Sequence, residues 1–420
     1  MKTTPKSLRL QIGLFGRTNV GKSSFLNVVA GQDVAITSSV AGTTTDVVEK
    51  TMELLPIGPV VFLDTAGLND SSDLSESRIK KTKRIFDRAD VVILIVEPNQ
   101  WTEFEDYVYD QAQNQKMPLI IVVNKIDIKY PDDDFISHLK KKTEKIVFCS
   151  SITLEKRDDY VNALKENLIE CCPEDFIKPP SLIGDLMPKG GLSILIIPID
   201  LEAPKGRIIL PQVQTIRDAL DHDSSALIVK EDQYLDVLEK LKAPPDIVVC
   251  DSQVVDRMVL ETPSNIKCTT FSIIFARLKC ELSQMVEGAI AINSLQDGDK
   301  ILIAEACSHH AVEDDIGRIK IPRWIKEYTK ADLKVDVCAG RDYPEDLSEY
   351  KLVILCGSCM ITRKETLRRM YHAKRIGVPV TNYGVCISFL KGVLGRVLEP
   401  FPDCLKIYQQ ELDPCKEKVS

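Results

Sequence analysis

The chain has 420 residues, of which 44% are hydrophobic and 28% charged, an ordinary balance for folded protein that excludes wholesale disorder. At roughly 150 residues per domain, two to three domains are expected. The formal net charge of −8 argues against a general nucleic-acid-coating role, which needs a basic field, while leaving room for a local basic groove.

No apolar run approaches the roughly 18 residues of a membrane span, and the opening Met1–Ser7 lacks the apolar core of a secretory signal. Thirteen cysteines, an odd number in a long chain without a leader, point to a reducing compartment. Their thiols are expected to be buried or to bind metal rather than to pair as disulfides. The expected location is the cytoplasm.

In chain order, Arg9–Phe15, Val60–Asp64, Val91–Val96, Leu119–Asn124 and Ile146–Ser150 read as buried strands with helix-like sequence between them. That alternation predicts a mostly parallel sheet with helices on both faces, and a first domain over residues 1–175. Cys172-Pro173, Lys178-Pro179-Pro180 and Pro188–Gly191 then mark a linker. A second α/β segment over 185–265 contains candidate strands Leu192–Ile199, Ala226–Val229 and Asp246–Cys250. A third, over 266–420, contains Lys300–Ala306, Leu333–Val337, Lys351–Cys356 and Val378–Thr381. The predicted class is α/β, with three α/β domains.

Gly16-Arg17-Thr18-Asn19-Val20-Gly21-Lys22-Ser23 fits G-x-x-x-x-G-K-[ST], between an apolar strand and the helical run Ser24–Ala30. That context is what a phosphate loop requires. Glycines let backbone N–H groups curl around phosphate, and the helix start adds a favourable dipole. Lys22 adds a point charge, and Ser23 offers a hydroxyl to Mg²⁺. Gly16, Asn19, Val20, Gly21, Lys22, Ser23 and Ser24 therefore form the candidate phosphate cradle. Asp64-Thr65-Ala66-Gly67 ends the strand Val60–Leu63. Its Asp64 can hold Mg²⁺ through water, and the Gly67 N–H can reach a γ-phosphate. Asn124-Lys125-Ile126-Asp127 ends another strand. Asp127 can accept two hydrogen bonds from guanine, and adenine would leave a buried carboxylate there unpaired. Ser150-Ser151 could meet the guanine O6 edge through backbone N–H groups. All lie at strand ends, where open α/β sheets bind ligands.

With these motifs the first 170 residues resemble the translation-factor-like GTPases. Gly42-Thr43-Thr44-Thr45-Asp46 looks like the first switch of the subgroup (TrmE/Era-like) that includes tRNA-modification and ribosome-assembly GTPases. The resemblance implies that Thr44 ligates Mg²⁺, and that Lys22, Thr44, Asp64 and Gly67 support hydrolysis. Thr45 stands where that subgroup usually has Arg. Leu68 stands where many GTPases carry a water-orienting Gln. In the subgroup a K⁺ ion, held partly by an Asn at the position of Asn19, supplies positive charge instead. Asn19 is otherwise a good turn residue, and both readings stay open.

Cys307-Ser308-His309-His310 follows one predicted strand of the last segment, and Cys356-Gly357-Ser358-Cys359 another. Parallel strands deliver their C-terminal ends to one rim, so the two thiol sets are expected to converge. Gly357 and Ser358 would let the chain wrap a metal. Three thiolates with a further N or O donor suit zinc or an iron–sulfur cluster. The other cysteines have no partner at metal spacing and read as core or surface.

Ala203–Arg217, Ala304–His310, Asp315–Trp324 and Val378–Gly384, taken with the GTPase motifs, resemble the FeFe-hydrogenase maturation GTPase family (HydF) over nearly the whole chain. The resemblance implies the order GTPase, dimerisation domain, iron–sulfur cluster-binding domain. It implies a homodimer that binds GTP, Mg²⁺ and a 4Fe–4S cluster on Cys307, Cys356 and Cys359. It further implies a di-iron precursor of the hydrogenase active site as cargo. The implied partners are apo FeFe-hydrogenase and two radical-SAM maturases, with no nucleic acid and no membrane. Leu355 stands where the family often has His, so the fourth ligand is open among His309, His310, a carboxylate such as Glu399 or Glu411, and water. The alternative is an RNA-modification or ribosome-assembly GTPase with a zinc or iron–sulfur structural site. Against it stand the acidic balance and the lack of a basic-flanked GXXG clamp.

Overall fold

The computed structural model describes residues 9–31, 48–64, 82–172, 180–199, 208–306, 315–340, 343–358 and 361–412. The chain divides into two compact units, Met1–Pro179 and Pro180–Ser420.

The first unit holds a six-stranded sheet in the order β2-β3-β1-β4-β5-β6. Its strands are β1 (Leu10–Phe15), β2 (Val48–Leu54), β3 (Gly58–Asp64), β4 (Val91–Val96), β5 (Leu119–Val123) and β6 (Ile146–Phe148). All neighbours pair in parallel except β2, which runs antiparallel to β3. β4 is apolar throughout because both its faces are covered. Val91, Ile93 and Ile95 join one core, and Val92, Leu94 and Val96 the other. The helices Lys22–Ala30 and Arg157–Cys171 close the first face with Phe25, Leu26, Leu164 and Leu168. Glu103–Asn114 and Asp133–Lys142 close the second with Phe104, Val108 and Leu139. Each such buried side chain contributes about 1.5–3 kcal/mol. The sequence reading did not contain β2. Its VEKTMEL lies on the sheet edge with only two buried residues, so charge on it is tolerated and no apolar run marks it.

The second unit holds two four-stranded parallel sheets. One has the order β10-β9-β7-β8 and the other β12-β11-β13-β14. The first comprises β7 (Leu192–Ile196), β8 (Ser225–Val229), β9 (Ile247–Cys250) and β10 (Lys267–Thr270). The second comprises β11 (Lys300–Glu305), β12 (Lys334–Ala339), β13 (Leu352–Leu355) and β14 (Val380–Asn382). One hydrophobic core runs from Leu182 to Phe401 and joins both sheets. The expected boundary at 265/266 is corrected here. β10 completes the first of these sheets by pairing with β9, so a cut at 265 removes its edge strand. The KCTT sequence of β10 is polar and short, and so reads as loop. Among the described residues no helix is long and apolar enough to cross a membrane.

Candidate functional site

In the first unit the phosphate loop joins β1 to the helix Lys22–Ala30. Gly16 has φ 152°, and a Cβ on it would stand 2.7 Å from Ile95 O. Gly21 caps the helix in the left-handed region at φ 93°, and a Cβ there would meet Asn124 Nδ2 at 2.3 Å. Asn19 also adopts positive φ, 66°, as suits a turn Asn. The helix start has no side-chain cap and no acidic residue in its first turn. Its N–H groups and dipole thus fit a phosphate, not a carboxylate of the chain. Lys22 Nζ donates to Gly16 O at 2.7 Å and Arg17 O at 2.8 Å, so the ammonium is folded over the loop. Ser23 and Ser24 are exposed. Asp64 is fully buried at the end of β3. Arg17 is held elsewhere: its guanidinium pairs with the buried Glu105 at 2.9 Å and with Gln100 at 3.0 Å.

The loops after β5 and β6 are tied to this loop by one amide. Asn124, 1% exposed, donates from Nδ2 to Val20 O at 2.9 Å and accepts from Ser151 Oγ at 2.9 Å. Lys125, at φ 65°, pairs with Glu97 just past β4. Ser150 turns inward and accepts from Thr153 N at 3.2 Å and Thr153 Oγ1 at 2.9 Å. Asp127 is exposed rather than buried. The turn after β5 carries it past the end of the core. Gly16, Asn19, Val20, Gly21, Asp64, Asn124, Lys125, Asp127, Ser150 and Ser151 lie in loops or at strand ends of this one unit, and Lys22 opens the helix Lys22–Ala30. Thr44, Gly67 and Leu68 lie outside the described residues.

In the second unit β11 and β13 pair in parallel with Ala304 opposite Leu355. Ala306 N–H then donates to Cys356 Sγ at 3.0 Å, and Cys356 N–H to Ala304 O at 3.0 Å. Cys356 therefore lies against the residue that precedes Cys307. The tight backbone is at Ser358, φ 51°, which is 4% exposed with Oγ donating to Cys356 O at 3.3 Å. The expected wrapping role thus falls on Ser358 rather than on Gly357, whose φ is ordinary. Cys307, His309, His310 and Cys359 lie outside the described residues. Among the described residues no group of three or more His, Cys, Asp or Glu is placed to hold a metal. Glu399 is paired with Arg396, which also holds Pro263 O and Ile266 O. Glu305, 1% exposed beside the rim, is paired with Arg318 at 2.7 Å, a contact the sequence reading missed. The fragment Asp315–Trp324 contained Arg318, but nothing in it indicated its partner.

Among the described residues, five of the other cysteines, Cys149, Cys250, Cys268, Cys280 and Cys386, are buried, and Cys171, Cys172, Cys338 and Cys404 are half-buried. Burial pushes the Cys149, Cys280 and Cys386 thiols up to about 12 and Cys268 to about 11. Such thiols are poor ligands and nucleophiles. The donor set at the rim, a half-buried sulfur that receives a backbone N–H, differs from them and suits a thiolate-held metal group.

Residues 11–125 match the family described as 50S ribosome-binding GTPase. Residues 182–280 match the Hydrogen maturase F dimerization domain, and 283–400 the Hydrogen maturase F tetramerization domain. Among curated proteins, the tRNA modification GTPase MnmE of Synechocystis is 33% identical over 175 residues, covering 41% of this chain and 36% of its own length. MnmE of Prochlorococcus marinus strain NATL1A is 38% identical over 160 residues, covering 37% and 34%. The chain spans about a third of the length of these relatives. Among solved structures, the G domain of the T. maritima FeoB iron transporter aligns at 24% identity and TM-score 0.30, over 39% of this chain and 99% of that one. The two maturase domains follow the GTPase match in chain order, and the chain belongs to the hydrogen maturase F family of hydrogenase-maturation GTPases.

Proposed function

We propose that the chain hydrolyses GTP with its first unit and uses its second to hold a 4Fe–4S cluster and carry a di-iron precursor for FeFe-hydrogenase. In the first unit, backbone N–H groups of 16–24 and the helix dipole bind the phosphates. Lys22 swings its ammonium from the Gly16 and Arg17 carbonyls to phosphate. Ser23 and Asp64 are the described groups for Mg²⁺, with Thr44 completing the set, and the Gly67 N–H is assigned to the γ-phosphate. Asn19 is the candidate K⁺ ligand. Asp127 reads guanine, held in register by the Ser151–Asn124–Val20 chain of hydrogen bonds.

The observation that carries the second half is the Ala306 N–H to Cys356 Sγ bond, which supports convergence of the two thiol sets. Cys307, Cys356 and Cys359 would hold the cluster, and His309 is one candidate for a further ligand, beside His310, a carboxylate and water. When bound, a cluster held by three thiolates offers one iron for an exchangeable partner. The dimerization and tetramerization domains support self-association. The partners proposed are apo-hydrogenase and the two radical-SAM maturases, in the cytoplasm, without nucleic acid or membrane. The test is anaerobic purification with iron and sulfide analysis. A brown protein near four irons and four sulfides per chain, the stoichiometry of a 4Fe–4S cluster, is expected. A colourless zinc protein that binds RNA at physiological salt would overturn the proposal.

A further inference from the structure

Within the second unit, the segment that follows the Cys356 loop is fastened to the helix that follows β10. Two hydrogen bonds cross between them in opposite directions. Lys279 Nζ donates to Ile361 O at 2.7 Å, across 82 positions of sequence. Arg363 Nε donates to Leu278 O at 2.9 Å, across 85 positions. Leu278 and Lys279 end the helix Phe271–Lys279. Ile361 and Arg363 flank Thr362, whose side chain caps the helix Arg363–Ile376. The first two residues belong to the dimerization-domain match and the last two to the tetramerization-domain match.

Arg363 has a local reason for its bond. The last carbonyls of a helix lack partners inside it, and a guanidinium there both satisfies Leu278 O and opposes the negative end of the dipole. Lys279 is different. It is 5% exposed, and it carries its ammonium away from its own helix to Ile361. Lysine is rarely buried so deeply, and an apolar side chain in place of a buried charge often stabilises a fold as much. Fold stability alone therefore gives a weak reason for a lysine here. Its acceptor gives a better one. Ile361 N–H donates to Ser358 O at 3.4 Å, so 358–361 closes as a turn with Cys359 inside it. Ser358, at φ 51° and 4% exposed, fixes one end of that turn. Lys279 fixes the other. Two peptide links separate Ile361 from Cys359, a span of at most about 7 Å.

We propose that Lys279 is a positioning residue for the cluster loop. Its ammonium holds the carbonyl end of the Ser358–Ile361 turn and so the thiol between them. Its positive charge beside the thiolates favours the more negative, reduced cluster. The inference rests on the cluster reading above. It makes the helix after β10 part of the metal site, although the three cysteines all lie in the last segment of the chain.

The test reconstitutes the full chain anaerobically with iron and sulfide, as wild type, Lys279→Met, Lys279→Arg and Arg363→Gln. Tm of the metal-free protein, the rate of iron loss to a chelator and the reduction potential are read for each. Lys279→Met keeps most of the side-chain length and removes both donor and charge. It is expected to unfold close to the wild-type temperature when metal-free, and to lose iron at least about tenfold faster. Its reduction equilibrium should move about tenfold toward the oxidised cluster, which is 59 mV for one electron. Lys279→Arg restores donor and charge and should recover most of both effects. Arg363→Gln opens the clamp from its half-buried side and should speed iron loss several-fold. A folded Lys279→Met with the wild-type release rate and potential overturns the proposal. So does faster release at an unshifted potential, which would leave Lys279 a purely structural tie. Should Lys279→Met not fold, a folded Arg363→Gln that releases iron at the wild-type rate overturns it. A wild type that takes up no iron would instead sink the cluster reading itself.

Discussion

The Asn124 side chain donates to Val20 O at 2.9 Å from a residue 104 positions away. One amide thus couples the loop after β5, proposed above to read the base, to the phosphate loop. Its other atom is used as well, by Ser151 Oγ at 2.9 Å. Removing a buried, doubly engaged amide costs about 1–3 kcal/mol. Asn124→Ala should therefore weaken guanine nucleotide binding by roughly 5- to 150-fold, by that same range, and lower Tm. Calorimetric titration with GDP checks this, and an unchanged Kd would show that the coupling is incidental.

Gly21 faces the same amide from the other side. At φ 93° an L-residue is strained, and its Cβ would lie 2.3 Å from Asn124 Nδ2. Gly21→Ala should lose nucleotide binding more severely than Asn124→Ala. The double variant Gly21→Ala with Asn124→Ala should recover part of the loss by opening space. Full additivity of the two would count against a direct clash.

Lys22→Ala and Ser23→Ala should abolish GTP hydrolysis by removing phosphate and Mg²⁺ contacts. Asp127→Asn should shift preference toward xanthosine nucleotides, because the amide adds a donor that matches the xanthine carbonyl. Equal hydrolysis of ATP and GTP by the wild type would refute the base assignment. Exchange of K⁺ for Na⁺ tests Asn19, and equal rates in the two salts would leave it a turn residue.

The strands β1 and β3–β6 were legible because burial on two faces writes continuous apolar runs such as Val91–Val96. β2 and β10 were not, since an edge strand needs no such run and KCTT is short and mostly polar although Cys268, Thr269 and Thr270 are buried. The phosphate loop and the Asn124–Asp127 motif were legible because their chemistry sits within a few consecutive residues. The contacts of Asn124 with Val20, Ala306 with Cys356, and Glu305 with Arg318 were not. They depend on chain segments brought together by sheet register and packing. The exposure of Asp127 was misjudged for a related reason: a strand end marks position along the chain, not depth.

Buried thiols make the fold sensitive to alkali. Desolvation holds Cys149 and Cys386 at about 12, above an unfolded thiol near 8.5. A raised folded pKa gives stability that is complete below the unfolded value and is lost as pH rises toward the folded one. Each such thiol withdraws up to about 1.4 kcal/mol per pH unit across that window. Tm should be flat from pH 7 to 8 and fall progressively above 9. Cys386→Ala should show a shallower fall than the wild type. Parallel curves for the two proteins would rule out this thiol as a source.

The rim of the last sheet offers the sharpest test of the metal reading. Cys307→Ala, Cys356→Ala and Cys359→Ala should each strip most of the iron, because each removes a charged, strong ligand. His309→Ala should keep the cluster and alter its EPR line shape. Iron loss as large as that of Cys356→Ala would instead make the histidine a structural ligand. The 3.0 Å bond from Ala306 N–H to Cys356 Sγ predicts a separate effect. Hydrogen bonds to a ligating sulfur favour the more negatively charged, reduced cluster and raise its potential. Ala306→Pro deletes that donor and no side-chain contact of its own. It should retain iron and sulfide while moving the reduction potential to more negative values. Ala306→Gly keeps the N–H and should leave the potential where it was. An Ala306→Pro protein with full iron and an unshifted potential would mean that Cys356 does not ligate the cluster through the sulfur seen beside Ala306.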